Sequence, residues 1–154
     1  EKMGARVERS SDSITVSRGA LCGVDIDMND MPDAAMTLAV LALFASSPTQ
    51  IRNIANLRVK ESERIRGLAT ELRKLGAAIH ETEDSLSVSP PQTLVPAVIE
   101  TYRDHRMAMA FSLASYGTDV TILDPACVNK TYPAYFRDFA SVSGAPHASR
   151  PGYG

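Results

Sequence analysis

Residues 1–18, EKMGARVERSSDSITVSR, and residues 73–90, RKLGAAIHETEDSLSVSP, are two copies of one segment. Lys2 matches Lys74, Gly4-Ala5 matches Gly76-Ala77, Asp12-Ser13 matches Asp84-Ser85, and the run Ile14 to Ser17 matches Leu86 to Ser89, all at a spacing of 72 residues. Each copy reads as a helix end, a glycine stop and a hairpin of two short strands. The second copy follows a full helical pattern, whereas the first begins at that helix's last turn. The expectation is a fragment of a larger protein, built on a repeat of about 70 residues, which is longer than the common solenoid periods.

Working outward, the repeat extends through the rest of the chain. MPDAAMTLAVLALFASS (31–47) is echoed by YRDHRMAMAFSLASYG (102–117), with Asp33 matching Asp104 and Met36 matching Met107. Both segments read as helices opened by an aspartate at or near the N-cap, and both are apolar almost all round, so each is expected to be buried. Each is followed by a β-branched run, TQIRNI (49–54) and TDVTIL (118–123), that suits an interior strand. A further helix comes next in each copy. KESERIRGLATELRKLG (60–76) carries Ile65, Leu68, Ala69, Leu72 and Leu75 on one stripe, with Gly76 as the stop. PAYFRDFASV (133–142) places Pro133 in a first turn and Tyr135, Phe136 and Phe139 for apolar contact. The unit is strand, helix, strand, helix, hairpin. Two such units imply a pseudo-symmetric α/β arrangement in which the N-termini of the apolar helices point the same way. The division expected is 1–18 as the end of a preceding unit, 19–90 as one unit and 91–142 as part of the next. Residues 143–154, SGAPHASRPGYG, have no periodicity and are expected to be disordered, with His147 outside any function.

Composition sets the outer limits. The 154 residues hold 16 Lys+Arg against 18 Asp+Glu, a net charge of −2, and are 44% apolar and 22% charged, as in an ordinary globular protein. Disorder and a polybasic nucleic-acid binder are excluded on that balance. No apolar run approaches the roughly 18 residues of a membrane helix, so no membrane partner is expected. Cys22 and Cys127 stand far apart without a CxxC companion, which signals neither zinc nor a disulfide framework and suits a reduced, cytoplasmic protein.

Local charge is more informative than the total. In NLRVKESER (56–64), Lys60 and Arg64 are read as lying i,i+4 in the first turns of a helix, with Arg58 just before them. Cations there oppose the helix dipole and repel one another. Such a cluster makes physical sense where an anion with several oxygens meets free backbone N–H groups, Lys and Arg. Glu61 sits among these cations, which should depress its pKa until a bound anion raises it again, so it could exchange a proton during turnover. A plainer reading makes this a solvated face with Glu61 paired to an arginine. The same choice exists for DHR (104–106): Arg106 has no obvious acidic partner but Asp104, or else all three simply cap the helix and meet solvent. Lys130, in NKT (129–131), is either solvated or the second copy's counterpart of the Lys60 loop. Asp33 as an N-cap needs no further role. If the helix starts converge, however, Asp33, Glu61, Arg64, Arg106 and Lys130 line one surface, and two acids among cations suit general acid/base chemistry on a multiply anionic substrate. No GxGxxG, P-loop, HExxH or GxSxG occurs.

Four stretches together, DMNDMPDAAMT (27–37), RVKESERI (58–65), DHRMAMAFSL (104–113) and TILDPACVNKTYPAYF (121–136), resemble the C-terminal part of the EPSP synthase family, the 3-phosphoshikimate carboxyvinyltransferases. The UDP-N-acetylglucosamine enolpyruvyl transferases are similar in fold, but the Val-Lys-Glu-Ser-Glu-Arg and Asp-His-Arg-Met-Ala-Met stretches resemble the shikimate branch. The resemblance implies two domains, each of three βαβαββ units around a pseudo-threefold axis, with the active site between them; this chain would hold about two units of one domain. It implies transfer of the enolpyruvyl group of phosphoenolpyruvate to the 5-hydroxyl of shikimate 3-phosphate through a tetrahedral intermediate, by a cytoplasmic, monomeric enzyme without metal or organic cofactor. On the family's motif, Asp33 takes the hydroxyl proton and Glu61 protonates the methylene carbon. Arg64, Arg106 and Lys130 hold phosphoenolpyruvate with His105 close by, and Asn56 and Lys60 contact shikimate 3-phosphate. Gly67 stands out inside its helix, where it costs about 1 kcal/mol against Ala. The resemblance also implies that the chain needs the rest of the enzyme to turn over. The other readings are a UDP-N-acetylglucosamine enolpyruvyl transferase-like enzyme and a non-catalytic binding or structural module of the same fold.

Overall fold

The computed structural model describes residues 1–17 and 19–143; Ser143, expected in the tail, is the last residue of a helix, and the rest of the expected tail, His147 included, lies outside the described residues. The chain opens with β1 (Arg6–Arg9) and β2 (Ile14–Ser17), followed by β3 (Asp25–Asp27), α1 (Pro32–Leu41) and β4 (Thr49–Arg52). Next come α2 (Arg64–Lys74), β5 (Ala78–Glu81) and β6 (Leu86–Ser89), and then β7 (Ala97–Ile99), α3 (His105–Ser112), β8 (Val120–Ile122) and α4 (Tyr135–Ser143). Two 3-10 segments, Ala55–Val59 and Pro125–Lys130, link β4 to α2 and β8 to α4.

The hairpins recur in the same register. Arg6 faces Ser17 and Arg9 faces Ile14 in the first; Ala78 faces Ser89 and Glu81 faces Leu86 in the second, each pair displaced by 72 residues. The β-α-β passages recur too. β3 and β4 pair in parallel across α1, as β7 and β8 do across α3. In the complete unit β6 joins the far edge of β4 antiparallel, giving the order β3-β4-β6-β5. β4 is therefore interior, as its run of Thr49, Ile51 and Ile54 suggested. The same expectation for 118–123 is corrected: among the described residues β8 pairs only with β7 and is an edge.

The stripe on α2 forms the core as expected, with Ile65, Leu68, Ala69, Leu72 and Leu75 all buried in one cluster with residues of α1, β4 and β6 and with Phe111 of α3. The helix ends where Gly76 adopts φ +97°, a conformation that glycine reaches without Cβ strain. Its N–H donates to the Arg73 carbonyl at 3.0 Å and the Ala77 N–H to the Leu72 carbonyl at 3.2 Å, the paired bonds of a Schellman stop. α3 is buried nearly all round, but α1 leaves Ala34 and Thr37 exposed, since it packs through one stripe of Ala35, Met36, Ala39 and Val40. Pro133 lies in the turn before α4 rather than in its first turn, because the helix begins at Tyr135. Tyr135, Phe136 and Phe139 do supply contact, with Tyr135 and Phe139 stacked at 5.8 Å.

Candidate functional site

Two of the helix starts differ from their sequence reading. α2 begins at Arg64, capped by the Glu63 carboxylate, which accepts the Arg66 N–H at 3.2 Å. Lys60 and Arg64 are therefore not an i,i+4 pair; Lys60 is exposed on extended chain after the 3-10 segment. The Glu63 cap outcompetes a start at Lys60 because its carboxylate meets an otherwise orphan N–H. In α1 the N-cap is Met31, without a side-chain bond, and Asp33 stands at the second helical position with its carboxylate free for other partners. Asp104 is the true aspartate cap: its carboxylate accepts the Arg106 N–H at 2.9 Å.

The first turns of α1, α2 and α3, with the end of the second 3-10 segment, meet on one side of the fold. Lys130 Nζ donates to Glu61 Oε1 at 2.8 Å, and Arg64 Nη2 donates to Glu61 Oε2 at 2.8 Å. Arg64 Nη1 reaches Asp33 Oδ1 at 2.8 Å, and Arg106 Nη2 reaches Asp33 Oδ2 at 3.0 Å. The result is a chain of alternating charge, Lys130–Glu61–Arg64–Asp33–Arg106, assembled from α1, α2, α3, the second 3-10 segment and the connection that precedes α2. Arg106 has found Asp33 rather than pairing through its guanidinium with Asp104, which corrects the expectation that only Asp104 was at hand.

Beneath this chain is an ion pair that the sequence did not single out as functional. Arg64 Nε donates to Asp104 Oδ2 at 2.7 Å and its Nη2 to Oδ1 at 3.3 Å, with both side chains essentially buried. Ser62 Oγ adds a bond to Asp104 Oδ2 at 3.1 Å. Breaking such a pair leaves an uncompensated buried charge, so it fixes geometry strictly whatever its net stability. Burial alone would raise the Asp104 pKa, yet the Arg64 bonds and the cap hold it below the ordinary value. The local cue was an aspartate cap three residues before Met107; its partner lies 40 residues away in sequence, where no pattern reaches.

Reach to a ligand differs along the chain. The Arg64 side chain is 1% exposed, against 41% for Arg106 and 58% for Lys130, so an anion meets the last two first. Asp33 and Glu61 are part-exposed beside them. The Lys130 hydrogen bond, with Arg64 beside it, brings Glu61 down to about 2. This is the depression expected from its cationic neighbours, and the arginine pairing of the plainer reading is present within it.

His105 is buried, and its Nδ1 lies 3.9 Å from Asp104 Oδ1 without a hydrogen bond. Burial lowers its pKa, so at neutral pH it is an uncharged ring. It lines an open cleft of 330 Å³ with Asp33, Thr37, Arg106, Met109, Thr131 and Tyr132. Asn56 and Lys60 stand apart from the network, exposed and without a side-chain bond to any described residue. Among the described residues no three His, Cys, Asp or Glu are arranged to hold a metal, and no helix is long and apolar enough to cross a membrane.

Residues 1–139 match the profile of EPSP synthase (3-phosphoshikimate 1-carboxyvinyltransferase). The chain belongs to the EPSP synthase family. Curated relatives bear this out: the 3-phosphoshikimate 1-carboxyvinyltransferases of Yersinia pestis bv. Antiqua (strain Angola) and Serratia proteamaculans (strain 568) are each 58% identical over 144 residues, 93% of this chain and 34% of theirs. The chain thus spans about a third of the length of the curated relatives it matches. Among solved structures it is similar to EPSP synthase from Acinetobacter baumannii, with a TM-score of 0.78 and 28% identity over 91% of this chain and 36% of that one. The enolpyruvyl transferase NikO from Streptomyces tendae matches at a TM-score of 0.73 and 22% identity, over 92% of this chain and 33% of its own, a likeness of fold alone. The tandem βαβαββ reading is therefore that of an enolpyruvyl transferase fold, in its EPSP synthase branch.

Proposed function

We propose that this chain supplies one wall of an active site that transfers the enolpyruvyl group of phosphoenolpyruvate to the 5-hydroxyl of shikimate 3-phosphate. The alternating chain Lys130–Glu61–Arg64–Asp33–Arg106 carries the reading, since it sets two acids among three cations at converging helix starts. Residues 19–90 act as one unit and 91–142 as part of the next, and the remaining two thirds of the enzyme complete the site. Two unpaired cysteines suit a reducing compartment, and the cytoplasm is the one proposed.

Arg106 and Lys130 take the carboxylate and phosphate of phosphoenolpyruvate, with Arg64 behind them and the neutral His105 ring alongside. Asn56 and Lys60, exposed at the edge, contact shikimate 3-phosphate. Asp33 accepts the 5-hydroxyl proton as that oxygen bonds to C2 of phosphoenolpyruvate, while a proton passes from Glu61 to C3, making a methyl group. In the second half Glu61 takes a methyl proton back, the C2=C3 bond reforms and the C2–O bond to phosphate breaks. Asp33 passes the proton it took from the hydroxyl to the departing phosphate, so both acids end as they began, and no cofactor enters. Binding and acidity are coupled. An anion that draws Lys130 away removes the largest influence holding Glu61 near 2, so the carboxyl can carry the proton it delivers.

The test is a graft: residues 1–139 replace the corresponding third of the Yersinia relative, and phosphate release is followed with both substrates. Release that needs both, and that falls at least about 100-fold in Glu61→Gln and Asp33→Asn, supports the reading. A folded graft that binds both substrates without releasing phosphate overturns it.

A further inference from the structure

Glu71 is a carboxylate wholly buried on α2 that none of the steps above uses. The α2 stripe around it is apolar, and a leucine there would bury at less cost than a charge. What it binds is informative. Oε1 accepts the Tyr102 hydroxyl at 2.8 Å; Oε2 accepts the Glu100 N–H at 3.0 Å and Lys74 Nζ at 2.6 Å. Two of these three donors belong to the connection from β7 to α3, which ends at the Asp104 cap.

That connection is strained. Tyr102 and Arg103 are consecutive non-glycine residues in the left-handed region, at φ 54° and 57°. Such residues are unfavourable and persist only where the surroundings hold them. Here they turn the chain so that Asp104 both caps α3 and meets Arg64. Gly67 accounts for the rest of the grip. A Cβ at Gly67 would lie 3.4 Å from both the Tyr102 ring and the Met107 methyl, ordinary van der Waals contact, so the ring packs closely over this part of α2. Positions 64, 67 and 71 thus form one stripe of α2 that fastens the connection at both ends, through Arg64 to Asp104 and through Glu71 to Tyr102 and Glu100.

We propose that Glu71, acting through Tyr102, is a positioning residue that holds the strained connection and so sets the Arg64–Asp104 pair, and with it Asp33 and Glu61, for the transfer reaction. The inference rests on the functional reading for its catalytic consequence and on geometry alone for the mechanical one, so two measurements are made.

In this chain, solvent exchange of the Arg64 Nε–H is followed by NMR. Tyr102→Phe, and the paired apolar replacement Glu71→Leu with Tyr102→Phe, are each expected to speed it at least tenfold. In the graft, both variants are expected to lower kcat at least tenfold with KM changed less than threefold. The paired replacement removes the buried carboxylate together with the part-exposed hydroxyl that donates to it, so it is expected to recover part of the melting temperature lost by Tyr102→Phe without recovering kcat. Unchanged Arg64 exchange in both variants overturns the proposal, as does a kcat that returns to the parent value together with the melting temperature. A parent graft without turnover contradicts the functional reading and leaves the exchange measurement to decide the positioning role.

Discussion

Asp104→Asn and Asp104→Ala separate the two duties of the buried acid. Asparagine keeps the size and the capping oxygen for the Arg106 N–H but removes the charge opposite Arg64. Arg64 then lies buried with only the part-exposed Asp33 and Glu61 as counter-charges, and breaking a buried pair in this way costs about 3–5 kcal/mol. Alanine loses the cap as well, a further ~1 kcal/mol. At about 2–4 °C per kcal/mol for a chain of this size, the melting temperature falls by about 6–20 °C in asparagine and by a few degrees more in alanine. The contribution also has a pH signature. The folded pKa of Asp104 lies below its ordinary value of 3.8, so its stabilisation is complete above that value and is lost as pH falls through the folded value. Circular dichroism melts taken downward from pH 7 should show the gap between parent and asparagine variant narrowing as pH falls below 3.8. Asparagine within about 0.5 kcal/mol of the parent at pH 7 would refute the buried pair as the keystone of the site.

Lys130→Ala removes the largest cause of the low Glu61 pKa, so the carboxyl should move from about 2 toward 4.5, read by carbon NMR of its Cδ; no movement would leave the depression to the backbone N–H bond and Arg64. His105→Asn removes a ring whose pKa is lowered first by burial, then by Arg106 and Lys130 against the opposing pull of Asp104 and Glu61. The parent should lose stability as pH falls from 6.5 through the folded value, and the variant should not, by urea midpoints at pH 7.5 and 5.5. The 154-residue chain alone should release no phosphate from the two substrates and should gain that ability when the remaining two thirds of a relative are supplied.

The repeat was legible because a hairpin's register depends on its own residues, and the matched runs at Ile14 to Ser17 and Leu86 to Ser89 pair alike. The α2 core stripe was legible for the same local reason. The meeting of Asp33, Glu61, Arg64, Arg106 and Lys130 followed from the repeat once similar helix starts were taken to converge. What escaped was set by contacts distant in sequence or by competing caps. Lys60 looked helical because Lys, Glu and Ser tolerate a helix, yet the Glu63 cap decides the start. Asp33 looked like a cap and instead serves Arg64 and Arg106. Gly67 looked like a flaw in a helix until Tyr102, 35 positions on, was found against it.

In the proposed reaction Glu61, among its cationic neighbours, moves a proton on and off the methylene carbon of phosphoenolpyruvate. Running the grafted enzyme in D2O with both substrates tests it most directly, with deuterium at that carbon measured by mass spectrometry. Addition followed by elimination through a methyl group should place deuterium in the enolpyruvyl product, and Glu61→Gln should suppress incorporation and phosphate release together. Product formed at full rate with no deuterium at that carbon, or incorporation undiminished without Glu61, would contradict it.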